Sequence, residues 1–256
     1  MATIVCNGKS LTDIQAVYLD KDGTLADVAT YLTQLGRTQA QLMEQRFPGT
    51  CALTLKALGL TSEGIAASGL LAVGSRQETI LAAAIAAAIA GGPWVQSVDL
   101  ATATFALADQ KHTPKAAYTP LLPGVLNFLQ RLKQAKLKLI MVSADSQNNL
   151  EQFVHHHSLA DYFDHLQGVS SQHPAKTEPG FLLAACQAIG LLPHQGVVIG
   201  DSASDVRMAE SAKGFIGYLG GWEPRLLPSD ILTEPSTGKP LDSLFVTDLS
   251  QITVLP

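Results

Sequence analysis

The sequence predicts an α/β protein: a parallel-sheet core with an all-helical segment inserted after the first sheet strand. Two observations carry this. Three short apolar runs, each ending on a polar residue, lie far apart along the chain. The long stretch between the first two shows helical patterning and no strand. A chain of 256 residues, 46% hydrophobic and only 15% charged, can bury one sizeable α/β core or a core carrying a smaller insert.

The three runs are AVYL before Asp20, LKLIMV before Ser143 and GVVIG before Asp201. Short runs rich in Val and Ile, separated by helical segments, are what a parallel sheet covered on both faces requires. Ligands of open α/β sheets bind beyond the carboxyl ends of the strands, so all three polar residues should face one crevice. Between the first two runs, helical patterns fall at 28–46, 51–58, 76–90 and 94–108. Ser75 followed by Glu78 fits a capping box, and Gly91-Gly92-Pro93 is a stop followed by a new start. The Ala-rich stretch around Ile85 reads as packing surface.

Beyond this segment, Val125, Leu126, Leu129 and Leu132 recur at helical spacing after Pro123-Gly124. Pro179 suits the first turn of a helix whose stripe runs through Phe181, Leu182, Ala185, Cys186 and Ile189, ending at Gly190. Further strands are expected at 215–219, stopped by Gly220-Gly221, and at 243–247, an edge strand after a Pro-rich loop. The expected division is a core of residues 1–26 and 113–256 and a helical segment of residues 27–112.

Composition excludes several classes. A net charge of −5 without a Lys/Arg run offers no footprint for nucleic acid. Cys6, Cys51 and Cys186 are scattered and odd in number, so they read as reduced thiols and not as a disulfide frame or zinc site. The first residues lack the charged and apolar regions of a signal peptide. The apolar stretch from Ile80 to Gly92 is shorter than the roughly 20 residues a membrane span needs. A soluble cytoplasmic protein without nucleic-acid or membrane partners is therefore expected; its oligomeric state is not legible.

The strongest local signal is Asp20-Lys21-Asp22-Gly23-Thr24-Leu25 at a strand end. Two carboxylates two residues apart can divide labour: one attacks, the other moves protons, if their environments separate their pKa values. Gly23 allows the chain a sharp exit. A solvated strand-to-loop turn would use the same residue types. Taken singly, Ser143 could be a helix cap, Lys176 a solvated lysine, and Asp201 and Asp205 a cap and a first-turn acid. His155, His156 and His157 are consecutive, cannot share one helix face, and read as a solvated patch.

Taken together, DKDGTL, Ser143, Lys176 and Gly200-Asp201-Ser202-Ala203-Ser204-Asp205 resemble, in order, the four motifs of the haloacid-dehalogenase-like (HAD) superfamily. The resemblance covers essentially the whole chain and implies a Rossmann-like core. The helical insert resembles the C1 cap of the phosphoglycolate-phosphatase-like subfamily. The resemblance implies a magnesium-dependent phosphatase of small phosphorylated metabolites. Asp20 would be the nucleophile, forming an aspartyl-phosphate, and Asp22 the general acid and base. Magnesium would be held by the carboxylates of Asp20 and Asp201 and the main-chain carbonyl of Asp22, with Asp205 supporting its waters. Thr24, Ser143, the N–H of Ala144 and Lys176 would hold the phosphoryl oxygens. Elementary chemistry agrees: phosphoryl transfer asks for positioning and positive charge, and magnesium prefers oxygen ligands.

Lys21 between the two acids is less usual. Similar D-basic-D-G-T strings occur in capless heptose-bisphosphate phosphatases, which often carry a cysteine-rich zinc loop that this chain lacks. Asp22 speaks against the dehalogenase branch, which does not keep a second acid. The rivals are a sugar-phosphate mutase and, from another class, a phospho-acceptor or binding module that retains phosphate on Asp20. Specificity should lie in the helical segment, where Arg37 and Arg76 could meet an anionic group, although each reads more readily as a surface arginine.

Overall fold

The computed structural model describes residues 1–66, 68–169, 176–178, 180–221 and 244–255. The chain forms two compact units, Met1–Asp27 with Pro120–Pro256, and Val28–Thr119. Pro179 and the Pro-rich loop of 222–243, to which the sequence analysis gave roles, lie outside the described residues.

The first unit is built on a six-stranded sheet. Its strands are β3 (Ala16–Asp20), β4 (Lys138–Ser146), β5 (His165–Val169), β6 (Gly196–Gly200), β7 (Gly214–Tyr218) and β8 (Leu244–Val246), in the order β5-β4-β3-β6-β7-β8. Every pairing is parallel. Strands β3 and β6 are buried at every position, so neither shows the alternation of a half-exposed strand. The expected α/β class and its Rossmann-like parallel sheet are what is found.

One face of the sheet packs Tyr18, Ile140, Val142 and Val198 against Phe181, Leu182, Ala185 and Cys186. The last four come from the helix Phe181–Gln187, which Gly190 follows in a left-handed conformation. The helix Val125–Gln134 buries Val125, Phe128, Leu129 and Leu132, while Leu126 is half exposed, one position off the buried stripe.

Two parts of this unit were not read from the sequence. Strand β5 has only a modest apolar run, HLQGV, because it is an edge strand and is partly exposed. A separate antiparallel sheet, order β2-β1-β9, joins β1 (Ala2–Cys6), β2 (Lys9–Ile14) and β9 (Ile252–Leu255). Its hairpin carries a legible signal: Asn7 and Gly8, both at positive φ, turn the chain so that Cys6 pairs with Lys9. Asn-Gly is the favoured pair where both central residues need positive φ.

The second unit is helical: α1 (Ala29–Arg46), α2 (Cys51–Leu58), a short turn α3 (Leu70–Val73), α4 (Arg76–Ile89) and α5 (Trp94–Lys111). The Ser75–Glu78 capping box is formed in both directions, with the Ser75 N–H donating to Glu78 at 2.6 Å and the Glu78 N–H to Ser75 Oγ at 3.3 Å. Met43, Leu58, Ile80, Ala83, Ala84, Ala87, Ala101 and Phe105 form its core. The small Ala83, Ala84 and Ala87 side chains let α4 lie close to its neighbours. Ile85 and Ile89, on the same helix, face outward instead. No described helix is long and apolar enough to cross a membrane.

Candidate active site

Strand register assembles the site. On β3, Leu19 pairs with Met141 on one side and Ile199 on the other, and Asp20 pairs with Val142. Asp20 therefore ends the central strand level with Gly200, while Ser143 and Asp201 stand one residue further along the flanking strands. The alignment follows from three apolar runs that end together at one sheet edge.

Past Asp20 the chain folds back sharply. The Lys21 carbonyl accepts N–H bonds from Leu25 at 2.9 Å and Ala26 at 2.8 Å, and the Gly23 N–H donates to Ala26 O at 2.8 Å. Gly23 sits at φ 89°, a left-handed conformation that explains the glycine. The loop leaves the Thr24 hydroxyl fully buried, with no hydrogen-bond partner among the described residues. Such an orphan is costly in a native fold and marks a place where a polar ligand fits.

After β6, Ser202 caps the helix Ala203–Met208 together with Asp205, whose Oδ2 accepts from the Ser202 N–H at 3.1 Å and from its hydroxyl at 2.6 Å. Gly200 makes this possible. A Cβ there would come within 2.2 Å of the Asp205 side chain.

The carboxylates of Asp20, Asp201 and Asp205 are all buried, and each offers an oxygen within 4.8 Å of the others. Lys176, also buried, reaches in between. Its Nζ donates to Asp20 Oδ1 and lies 2.7 Å from Asp205 Oδ1.

Burial raises the Asp20 pKa to about 6, with the Asp205 charge adding to the rise and Lys176 opposing it. Burial pulls the Lys176 ammonium down, but the Asp20 and Asp205 carboxylates outweigh it and hold its pKa above the ordinary lysine value. The donor set is all oxygen and strongly anionic, which suits a hard divalent cation such as magnesium.

Ser143 is buried, and its Oγ accepts the Asp145 N–H at 3.1 Å. Ala144 follows it on the exposed end of β4. Asp22 stands two residues beyond Asp20 with its side chain about a quarter exposed, ion-paired to Lys21. The register and these contacts bring Asp20, Lys176, Asp201 and Asp205 into one cluster. Asp22, Thr24, Ser143 and Ala144 lie on the loops and strand end at the same sheet edge.

Sequence reasoning missed the setting of Lys21, which is 1% exposed and also lies 3.3 Å from Asp145 Oδ2. The signal available was an acid two residues after Ser143. Of the three histidines, His155 and His156 are exposed, while the His157 ring packs on Phe153 with centroids 4.6 Å apart.

Known proteins share this architecture. The chain is 31% identical over 97 residues to a phosphoglycolate phosphatase of Chromobacterium violaceum, a match covering 38% of this chain and 44% of that one. It is 28% identical over 201 residues to a phosphoglycolate phosphatase of Nitrosospira multiformis, covering 78% and 80%. The match thus spans less than half of the first relative and most of the second. The crystal structure of a predicted phosphoglycolate phosphatase from Haemophilus somnus superposes with a TM-score of 0.65 at 18% identity, covering 94% of this chain and 96% of that one. This last likeness concerns the fold. The family model for haloacid dehalogenase-like hydrolases matches residues 14–213, from the strand that ends in Asp20 to beyond the helix that carries Asp205. The chain belongs to the haloacid dehalogenase-like hydrolase family.

Proposed function

We propose that this hydrolase is a magnesium-dependent phosphatase of a small phosphorylated metabolite, passing the phosphoryl group through an aspartyl-phosphate at Asp20. The observation that carries the reading is the buried convergence of Asp20, Asp201 and Asp205 at the carboxyl edge of the sheet, with Lys176 paired to Asp20 and Asp205.

Asp20 and Asp201, with the main-chain carbonyl of Asp22, would hold the ion. Both Asp205 oxygens are engaged, by Ser202 and by Lys176, so this residue supports the site from behind. The bound metal supplies positive charge to the transferring phosphoryl oxygens.

The chain's own groups do the rest. Lys176 keeps Asp20 ionised in spite of its burial and offsets the charge of the incoming phosphate. The Asp20 carboxylate attacks phosphorus while Asp22 gives its proton to the departing oxygen. Asp22 then takes a proton from water as that water displaces the Asp20 carboxylate from phosphorus. Ser143, the Ala144 N–H and the buried Thr24 hydroxyl receive the non-bridging oxygens of the phosphoryl group. The helical unit, Val28–Thr119, serves as a cap that supplies selectivity. Arg76 is already engaged there, paired with Asp109 and stacked over Phe105 at 5.1 Å, so Arg37 is the better candidate for an anionic substrate group.

The two curated relatives are named for phosphoglycolate, which makes 2-phosphoglycolate the first compound to try in a panel of phosphate monoesters. Purified protein should release phosphate from nitrophenyl phosphate with magnesium, and chelation should stop it. Asp20→Asn, which keeps shape but loses the nucleophile, should be inactive. Undiminished activity in Asp20→Asn rules the covalent route out. Isomerisation of a sugar phosphate with little net phosphate release would indicate a mutase instead.

A further inference from the structure

Lys21 is a buried charged residue to which the proposed chemistry gives no part. A buried ammonium is costly unless it is paired, and here the pairing is specific. Its Nζ donates to Asp22 Oδ1 and lies 3.3 Å from Asp145 Oδ2, and it stands 5.2 Å from the centre of the Phe153 ring. Asp145 is itself fixed: its Oδ1 accepts from the Ser146 N–H at 2.9 Å and from Asn149 Nδ2 at 2.7 Å. The Asp145 N–H in turn donates to Ser143 Oγ at 3.1 Å. A continuous polar chain therefore runs from Asp22 through Lys21 to Asp145, and from there to Ser143. It ties the loop after β3 to the end of β4.

We propose that Lys21 is a positioning residue for the Asp22 carboxylate, and that Asp145 is the anchor against which it holds that carboxylate. This rests on the reading of Asp22 as the proton-transfer group. The ion pair to a buried ammonium favours one rotamer of a carboxylate that is about a quarter exposed. Proton transfer tolerates little misplacement, and an error of about 1 Å costs on the order of a hundredfold in rate. With Lys21 in place, Asp22 is held from the buried side by an ammonium that is itself 1% exposed. The arrangement also offsets repulsion between the acid of the loop after β3 and the acid at the end of β4, because the ammonium pairs with both.

The test uses Lys21→Met, which keeps an unbranched apolar side chain but removes the charge, and Asp145→Asn, which weakens the anchor without altering the nucleophile loop. Both are assayed for kcat and KM with magnesium, on an alkyl phosphate, whose leaving oxygen needs a proton, and on nitrophenyl phosphate, which needs none. Single-turnover rates isolate the first chemical step. Lys21→Met should lower that rate on the alkyl phosphate by about tenfold to a hundredfold with KM little changed, and much less on the nitrophenyl ester. Asp145→Asn should show the same pattern more weakly. In an Asp22→Asn background, adding Lys21→Met should cause no further loss, because the group it positions is gone.

Equal losses on both esters, or the same loss in the Asp22→Asn background, overturns the proposal. If Lys21→Met does not fold, the contrast between esters in Asp145→Asn decides the matter, and its absence counts against the proposal. If Asp22→Asn alone leaves alkyl-phosphate turnover intact, it is the assignment of Asp22 that fails.

Discussion

Asp20, Asp22 and Asp201 are chemically the same side chain within a few residues of two neighbouring strand ends, and only their surroundings separate them. Asp20 is buried and touches Lys176, while Asp22 reaches toward solvent and touches Lys21. Because Asp22 is assigned a metal contact through its backbone only, Asp22→Asn should leave magnesium affinity nearly unchanged and lower turnover by roughly 10²–10⁴-fold. Asp201→Asn should weaken magnesium binding and recover partly at high metal concentration. Calorimetry with magnesium, alongside turnover across a magnesium titration, checks both. The reverse pattern would exchange the two roles. Asp20, Ser143 and Asp201 were legible because each follows an apolar run, while Lys176 and Asp205 were legible only through the order of the motifs. The environment of Lys21 was not, since its partner comes from another strand and only the register of β4 against β3 brings the two together.

At the scale of elements, Asp164 joins three of them. Just before β5, it accepts the Leu139 N–H of β4 at 2.9 Å and pairs with Lys138 at 2.7 Å and with Lys133, near the end of the helix Val125–Gln134, at 3.3 Å. Partial burial pushes its pKa up, but the Lys138 and Leu139 hydrogen bonds and Lys133 outweigh it, so the carboxyl titrates below its ordinary value. A depressed folded pKa means the ionised form is favoured in the folded state. This contribution to stability is fully present above the ordinary carboxylate range near pH 4 and is lost as pH falls through the lower, folded value. Asp164→Ala should cost about 1–2 kcal/mol in urea unfolding at pH 7, and the difference from wild type should shrink below about pH 4. A constant difference across that range would assign the loss to packing alone.

In the helical unit, Ser75→Ala should cost roughly 1 kcal/mol, because it removes one half of a formed capping box. Helix positions were legible for the same reason: caps and 3.6-residue stripes are local. Edge strand β5 and the sheet β2-β1-β9 were less so, since a half-exposed strand needs no apolar run, and the Asn7-Gly8 turn was the only strong local mark of the latter.

Across the whole molecule, the α/β class followed from three buried runs and their spacing, which topology converts into one reactive edge. A protein that gathers three buried carboxylates there should be stabilised by the cation they suit. Magnesium should raise the melting temperature in a concentration-dependent way, by the equivalent of about 2.7 kcal/mol at a hundred times its dissociation constant. Asp201→Asn should shift that dependence to higher magnesium. Identical melting curves with magnesium and with chelator would remove the metal from the site.

Most direct of all is capture of the phosphorylated residue. Asp22→Asn with nitrophenyl phosphate and magnesium should pass the first step, whose leaving group needs no proton, and stall at the second, where water must be activated. The reaction is quenched in acid, the acyl phosphate is reduced with borohydride, and the peptides are read by mass spectrometry. The expected result is homoserine in place of aspartate at position 20 and nowhere else. Nitrophenol release with no reduction at Asp20, or with reduction at another carboxylate, would contradict covalent catalysis by Asp20.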